Sequence, residues 1–372
     1  MENQSSRNAF MLKGKLSKRG YDWWWHSLVG TNKKTGERKP FFIEYYVINP
    51  ALSKDEIVLG QSNNAKVKGL KPSYAMIKAG AWGKDAKQIH NFYPISSFYA
   101  SDNKMDVKIG NNTADDYHLK GSVMLSESDA LNHPEYMSQW GSMSWDLKAN
   151  KTISYSVGYG ASKLFRWLDA FMMYWHVEGM KTEYVGIINF DGEEYLVSPE
   201  NSYGYQDKNW GWDYTNPWIW LNCNCFKSKI SGKILNKTSL DIGGGKPLMF
   251  GMQFNKKFLM VFNYEGQHFE FNFSKFWKFV KQEFNCYVTD EKVSWKVNSS
   301  VGDYKLEVDF SCLRNTMLLC NYENPDGQKL HTDLWNGGYA QGTVKIWKKE
   351  NRSYKLIDEL EGEMGGCEFG EY

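Results

Sequence analysis

The sequence lacks any long apolar run, and it contains little proline and little excess charge. No stretch approaches 18 consecutive apolar residues, so the chain is expected to have no transmembrane helix. Only 9 of the 372 residues are proline, whereas 33 are glycine. The 45 Lys and Arg nearly balance the 43 Asp and Glu, so no positive field is available to hold a nucleic acid.

Metal, phosphate-loop and secretion signals are also missing. The six cysteines include no C-x-x-C pair and the seven histidines have no ligand spacing, so neither a metal nor a disulfide framework is indicated. The segment Gly243-Gly244-Gly245-Lys246 is followed by Pro247 instead of Ser or Thr, which predicts a turn and not a phosphate loop. The first residues contain no apolar segment of a secretion signal, which makes the cytoplasm the expected location. The oligomeric state is left open.

Aromatic residues are abundant, and most of the chain reads as short strands joined by tight turns. There are 16 Trp, 23 Tyr and 21 Phe. An apolar run over residues 41–47 ends at Asn49-Pro50, and the strand-forming segment 182–197 is divided by Asp191-Gly192, a two-residue hairpin signal. Segments 260–273, 305–310, 342–347 and 354–357 continue the pattern. Short strands at this spacing predict an all-β sandwich or barrel.

Two segments favour short helices instead. From Ser162, apolar side chains recur at helical spacing as far as Trp175, and a weaker helical pattern runs from Phe276 to Phe284. Such helices would most simply pack against a sheet. Because the first helix interrupts two strand-rich halves, we predict an N-terminal β domain over residues 1–165 and a C-terminal β domain over residues 166–372.

Acidic residues embedded in aromatic strands are the first candidates for chemistry. In the segment 21–26, strand alternation would place Trp23 and Trp25 on one face. Glu44 would share a face with Tyr46, either as a buried acid or on the wet face of an antiparallel strand. The spacing of these residues fits both interpretations of Glu44.

The densest aromatic segment contains Asp207. Alternation points Tyr205, Asp207 and Asn209 to one side of a strand, and Lys208 and Trp210 to the other. A carboxyl group among indoles and phenols is desolvated, which raises its pKa and lets it hold a proton near neutral pH. The competing interpretation is a turn in which Asp207 and Asn209 bond to local backbone. The spacing leaves both interpretations open.

Aromatic side chains also have a direct chemical use, because ring faces stabilise cations through their quadrupole. Trp175, next to His176, would suit that role if its side chain faces a cavity. Otherwise Trp175 is the last core contact of the predicted helix.

Five motifs, in order over nearly the whole chain, resemble those of a known family. They are Gly20-Tyr21-Asp22-Trp23-Trp24-Trp25, Trp175-His176 before Glu183-Tyr184-Val185-Gly186, Gly204-Tyr205-x-Asp207-Lys208-Asn209-Trp210-Gly211, Trp218-x-Trp220 and Glu368-Phe369-Gly370. They are similar to motifs of the tocopherol cyclase group and of its wider superfamily, the carotenoid 1,2-hydratase (hydroxyneurosporene synthase) and AttH-like proteins. The resemblance implies two lipocalin-like β-barrel or sandwich halves around an apolar cavity. The two helical patterns would add one or two short helices packed on these halves. It also implies proton-initiated chemistry on carbon–carbon double bonds without a metal or nucleotide cofactor.

Residues and resemblance together predict a cofactor-independent enzyme of the cyclase, isomerase or hydratase type. Its substrate would be an apolar, unsaturated or phenolic small molecule. The resemblance makes Asp207 the general acid and Tyr205 its orienting partner, and Glu44 is a second candidate acid or base. The side chains expected to bind the substrate or hold the acid in place are Trp25, Tyr46, Trp175, His176, Lys208, Asn209 and Trp210. A non-catalytic carrier of a hydrophobic ligand and a sugar-binding protein remain alternatives.

Overall fold

The structure is a computed structural model that describes residues 4–155, 171–200, 203–246, 248–249, 251–253, 255–272, 279–328 and 330–371. Strands dominate these residues, and their bounds are β1 (Tyr21–Asn32), β2 (Arg38–Ile48), β3 (Tyr74–Ala81), β4 (Lys87–Tyr93), β5 (Phe98–Ala100), β6 (Asp106–Ile109), β7 (Asn112–Asp115), β8 (His118–Leu125), β9 (Gly141–Tyr155), β10 (Met173–Phe190), β11 (Glu193–Val197), β12 (Gly204–Gly211), β13 (Trp218–Cys223), β14 (Phe226–Ser228), β15 (Ser239–Gly245), β16 (Leu248–Met249), β17 (Met252–Gln253), β18 (Lys257–Tyr264), β19 (Gln267–Asn272), β20 (Lys281–Val288), β21 (Lys292–Val301), β22 (Tyr304–Leu313), β23 (Leu318–Glu323), β24 (Leu330–Glu350) and β25 (Ser353–Gly370). The α-helices found in the same ranges are α1 (Asn63–Lys68) and α2 (Glu127–Asn132). None of the helices in the described ranges has the length and apolar character that a membrane crossing requires.

The first large sheet is built from β1–β12. Its strand order is β4-β3-β2-β1-β11-β10-β9-β8-β7-β6-β5, and β12 pairs with both β1 and β10. Strand β11 pairs with the Asn32 end of β1 and β12 with the Tyr21 end, so these two short strands share the place between β1 and β10. The strand that carries Asp207 therefore lies inside the sheet, where its alternate side chains point to opposite faces.

The second large sheet takes up the C-terminal part of the chain. Its order is β19-β18-β15-β13-β25-β24-β22-β21-β20, with β14 on β25 and β23 on β24, and β16 and β17 form a separate hairpin. The change from the first sheet to the second falls between Gly211 and Trp218. Strands β10–β12 thus belong to the first sheet although they follow the predicted division at 165/166.

The predicted all-β class is confirmed, as is the hairpin at Asp191-Gly192. The strand-forming segment 260–273 contains a second hairpin, which turns at Glu265-Gly266. The two predicted helices lie partly outside the described residues, over 156–170 and 273–278. Where the chain is described, the helical prediction is wrong, because Trp175 lies in β10 and Phe284 lies in β20. Pairing with β12 and with β21 decides the backbone conformation at these two residues, and such tertiary context overrides local spacing.

Three buried clusters explain how the two sheets pack. One fills the inside of the first half and includes Trp24, and a second fills the second half and includes Trp295. The third lies between the sheets and draws on both of them through Trp25, Trp220 and Tyr322. Strand β1 therefore sends Trp24 into one core and Trp25 into another, as the alternation predicts.

Candidate active site

A cavity lies between the two sheets, beside the third cluster. About 1100 Å³ of space lies between its walls and at its mouth, and this volume includes open solvent. Its walls are mostly aromatic and apolar, and the side chains that matter below are Trp23, Trp25, Trp175, Asp207, Asn209, Trp218, Trp220, Tyr322 and Glu368. An apolar cavity with a few polar groups is the usual form of a small-molecule site.

Asp207 has an asymmetric set of hydrogen bonds. Its Oδ2 accepts from Trp175 Nε1 at 2.7 Å and from the Tyr205 hydroxyl at 3.1 Å. Its Oδ1 is buried and has no hydrogen-bond partner in the part of the chain that the structure describes. Because both donors occupy Oδ2, the proton of the neutral carboxyl group resides on Oδ1.

Burial keeps the Asp207 carboxyl group protonated. It raises the pKa of Asp207 from the ordinary 3.8 to about 8, although the Trp175 bond opposes the shift, and the charge of Glu368 raises the pKa further. At pH 7 a carboxyl group with a pKa of about 8 is about 90% protonated, whereas at 3.8 it would be below about 0.1% protonated. The residue can therefore hold a proton in apolar surroundings and deliver it there.

Asp241 on β15 is a further acid of this site, and it lies outside the motifs named above. The Tyr205 hydroxyl lies 3.2 Å from Asp241 Oδ2 as well as 3.1 Å from Asp207 Oδ2, and it accepts from Trp220 Nε1 at 3.3 Å. A phenol has one proton, so both carboxyl contacts are hydrogen bonds only if one carboxyl group donates. Burial, and then the charge of Asp207, raises the pKa of Asp241 well above its ordinary value. Because its pKa is raised, Asp241 holds a proton that it donates to the Tyr205 hydroxyl, and Tyr205 donates to Asp207 Oδ2.

Trp175 reaches Asp207 because its strand pairs with β12, where Trp175 lies opposite Asn209. The indole ring rests on Gly243, at which an added Cβ would lie 2.7 Å from a ring carbon. The prediction of a turn over residues 243–245 is wrong, because these glycines end strand β15. Because Gly243 has no side chain, the ring of Trp175 fits against this point of the sheet.

Two other predicted residues, Trp25 and Asn209, also line the cavity, whereas Tyr46 lies elsewhere. The Tyr46 hydroxyl lies 2.9 Å from the Tyr214 hydroxyl within the cluster between the sheets. Tyr46 therefore contributes to the packing of the two halves and not to the cavity wall.

Glu44 is buried behind the cavity wall and is paired with a cation. It has an exposed fraction of 0%, so the wet-face interpretation is wrong. Its Oε2 lies 3.0 Å from Lys78 Nζ and accepts from the Tyr322 hydroxyl at 3.1 Å. Tyr322 is the residue of this group that lines the cavity.

The remaining predicted residues lie on the opposite face of β10 and β12. Lys208 forms a buried ion pair with Asp22. Trp210 stacks on Tyr174 at 5.4 Å between ring centroids, and His176 is buried opposite Lys208 in the strand register. None of Lys208, Trp210 and His176 is among the described residues that line the cavity. Strand alternation sends them away from Asp207, so the expectation of Trp210 as a cavity wall is wrong.

Glu368 on β25 lines the same cavity as Asp207. Glu368 belongs to the Glu368-Phe369-Gly370 motif, but its neighbours in the sequence indicate no role for it. Its place becomes visible only through strand pairing, because β25 pairs with β13 and brings Glu368 opposite Trp220.

Comparison with known proteins shows the family. A profile for tocopherol cyclase-like proteins matches residues 47–371, which is most of the chain. The chain therefore belongs to the tocopherol cyclase-like family, which confirms the resemblance seen in its motifs.

The similarity to individual proteins covers only a small part of the chain or has a low sequence identity. Over 112 residues the chain is 35% identical to a chloroplastic tocopherol cyclase of Zea mays, and the match covers 28% of this chain and 22% of the relative. The chain thus spans about a fifth of the length of that curated relative. At 11% identity it is similar to crystal structures of an AttH-type protein from Nitrosomonas europaea (TM-score 0.49; 95% of this chain and 92% of that one) and of kievitone hydratase from Nectria haematococca (TM-score 0.47; 96% and 93%). These two similarities concern overall arrangement alone.

Proposed function

We propose that the protein is an enzyme that protonates a carbon–carbon double bond of an apolar, unsaturated or phenolic small molecule, in a cyclisation, isomerisation or hydration. Asp207 is the general acid. The observation that carries the proposal is the Asp207 carboxyl group itself, which lines an aromatic cavity and has both of its donors on one oxygen. Family membership agrees with chemistry of this kind.

The proposed step begins with proton transfer from Asp207 Oδ1 to one carbon of the double bond. The π electrons form the new carbon–hydrogen bond, and the other carbon becomes a cation. The indole rings of Trp23, Trp25 and Trp220 face this region, and ring faces stabilise cations. Trp175 and Tyr205 stabilise the carboxylate that remains, because both donate to its Oδ2. No cofactor is needed for these steps.

A carrier of a hydrophobic ligand is the second candidate, because the aromatic cavity would suit a carrier equally well. A sugar-binding surface is less well supported. Exposed aromatic platforms would be its sign, and the indoles of the cavity wall are buried or half-buried.

Incubation in heavy water tests the proposal. The wild-type protein is mixed with a panel of apolar polyenes and phenols that carry a prenyl chain next to the hydroxyl group, and products are analysed by mass spectrometry. We expect deuterium on carbon, because the exchangeable proton of Asp207 is delivered to the substrate. Tight binding by the wild type without incorporation would overturn the proposal in favour of the carrier.

The matched variant is Asp207→Asn, which keeps the size of the side chain and removes the acid. It is expected to bind the same compounds, measured by quenching of tryptophan fluorescence, and to lose turnover by about a hundredfold to ten-thousandfold. Turnover at the wild-type rate in Asp207→Asn would sink the assignment of the acid.

A further inference from the structure

The cavity contains a second carboxyl group, that of Glu368, which takes no part in the proposed protonation of the double bond. Glu368 lines the cavity and is 8% exposed. Glu368 lies on β25, which belongs to the second sheet, whereas Asp207 lies on β12 in the first sheet. The two carboxyl groups interact electrostatically, since the charge of Glu368 raises the pKa of Asp207.

The hydrogen bonds of Glu368 differ from those of Asp207 in one respect. Glu368 Oε2 accepts from Trp218 Nε1 at 2.6 Å, and its Oε1 accepts from Asn336 Nδ2 at 2.5 Å. The Asn336 amide is oriented by Trp82, whose Nε1 donates to Asn336 Oδ1 at 2.6 Å. Each oxygen of Glu368 therefore faces a donor, an arrangement that stabilises the ionised form. In Asp207 both donors face one oxygen, which leaves the other to carry a proton.

The charges around Glu368 allow the two groups to differ in protonation. Burial raises the pKa of Glu368 to about 7, and its bonds from Trp218 and Asn336 and the charge of Lys78 oppose the shift. Among the described residues, the titratable groups that interact electrostatically with Glu368 include Lys78, Glu44, Asp207, Tyr322, Cys320 and Cys367. The pKa of Asp207 lies higher, at about 8, so near neutral pH Glu368 is the group that loses its proton first.

We propose that Glu368 is the catalytic base of the cavity and takes the proton of the hydroxyl group that adds to the cation. The inference rests on the proposed function. It also defines the ligand, which brings an O–H group to the Glu368 end of the cavity, either as its own phenol or alcohol or as a water molecule. Two carboxyl groups whose environments push their pKa values apart are the common basis for an acid and a base in one site.

The complete reaction consists of two proton transfers and the formation of one carbon–oxygen bond. Asp207 gives a proton to one alkene carbon and becomes ionised, and the other carbon becomes the cation. A lone pair of the hydroxyl oxygen forms the carbon–oxygen bond, its O–H bond breaks, and the proton moves to a carboxylate oxygen of Glu368. Glu368 then releases a proton to solvent and Asp207 takes one up, so the resting state returns without an oxidant or reductant.

The test uses Glu368→Gln and a phenol with a prenyl chain next to its hydroxyl group, in heavy water. Because Asp207 is intact, we expect deuterium to enter the alkene of recovered or isomerised probe, since the cation forms and then loses a proton from carbon. Formation of the carbon–oxygen bond is expected to fall by about a hundredfold or more. Ring closure at the wild-type rate would overturn the proposal, and so would loss of exchange together with ring closure in a folded variant that binds the probe.

Trp218→Phe is a second test of the role of Glu368, and it can be used if Glu368→Gln does not fold. Trp218→Phe retains the carboxyl group and removes the donor to Oε2, so the pKa of Glu368 rises and the acidic limb of the kcat profile moves to higher pH. An acidic limb that stays in place would contradict the role of Glu368. Asp207→Asn separates the two proposals: loss of both exchange and ring closure supports the acid, whereas retention of both refutes the proposed function itself.

Discussion

Replacing Trp175 by Phe is expected to raise the pKa of Asp207 and slow turnover. The indole Nε1 donates to Asp207 Oδ2 at 2.7 Å, and this bond lowers the pKa of the carboxyl group. A hydrogen bond to a charged group contributes about 1.5–3 kcal/mol, and 1.36 kcal/mol corresponds to one pKa unit. Activity requires protonated Asp207 and is lost as the pH rises through its pKa of about 8. Trp175→Phe should therefore move this basic limb up by about one to two pH units.

The same change should lower the plateau of kcat, because an acid with a higher pKa is a weaker proton donor; we expect a loss of roughly threefold to tenfold. The assay is kcat between pH 5 and 10, with product formation followed by chromatography. Trp25→Phe is the matched control: Trp25 lines the same cavity, and its Nε1 has no hydrogen-bond partner among the described residues. A basic limb that stays in place or moves down in Trp175→Phe, or an equal shift in Trp25→Phe, would show that the Trp175 hydrogen bond does not lower the pKa of Asp207.

Three further substitutions test other parts of the account. Asp241→Asn should keep kcat within about threefold, because an amide also donates to the neighbouring phenol; a hundredfold loss would show that Asp241 itself moves a proton. Gly243→Ala should lower kcat/KM by about tenfold through a displaced Trp175 ring, and unchanged kinetics would contradict the close contact. Lys208→Met should lower the free energy of unfolding in urea by about 3–5 kcal/mol, since it leaves Asp22 buried without its partner. Burial already raises the pKa of Asp22 to about 6, so protonation at low pH relieves the unpaired charge; the loss should be greater at pH 8 than at pH 5, and equal losses would argue against this origin.

The local part of the site could be predicted from the sequence because strands alternate. The period of two predicts Tyr205, Asp207 and Asn209 on one face of β12. In the structure Asp207 and Asn209 line the cavity, and the Tyr205 hydroxyl contacts Asp207. The same rule already implied that Trp210 points away from Asp207, and Trp210 indeed stacks on Tyr174. Its prediction as a cavity wall failed because a chemical role was assigned against the alternation.

The residues of the site that lie far from Asp207 in the chain could not be predicted, because only the pairing of distant strands brings them together. Asp241 and Glu368 lie 34 and 161 positions beyond Asp207 in the chain. Asp241 has no local signal that distinguishes it from a surface acid, and the Glu368-Phe369-Gly370 motif does not indicate which side chains Glu368 contacts. Trp175 does have a local signal, but this signal predicted the wrong element. Its spacing resembled a helix, yet pairing of β10 with β12 places its indole on the carboxyl group of Asp207.

The proposed function depends on the protonation state of Asp207 at neutral pH, and infrared difference spectroscopy measures this state directly. The spectrum of Asp207→Asn is subtracted from that of the wild type at pH 7, with Asp241→Asn as a reference for the other buried acid. We expect a carbonyl band of a protonated carboxylic acid that is absent in Asp207→Asn, shifts in heavy water and titrates with a pKa of about 8. A difference spectrum with only the bands of an ionised carboxylate at pH 7 would contradict this expectation.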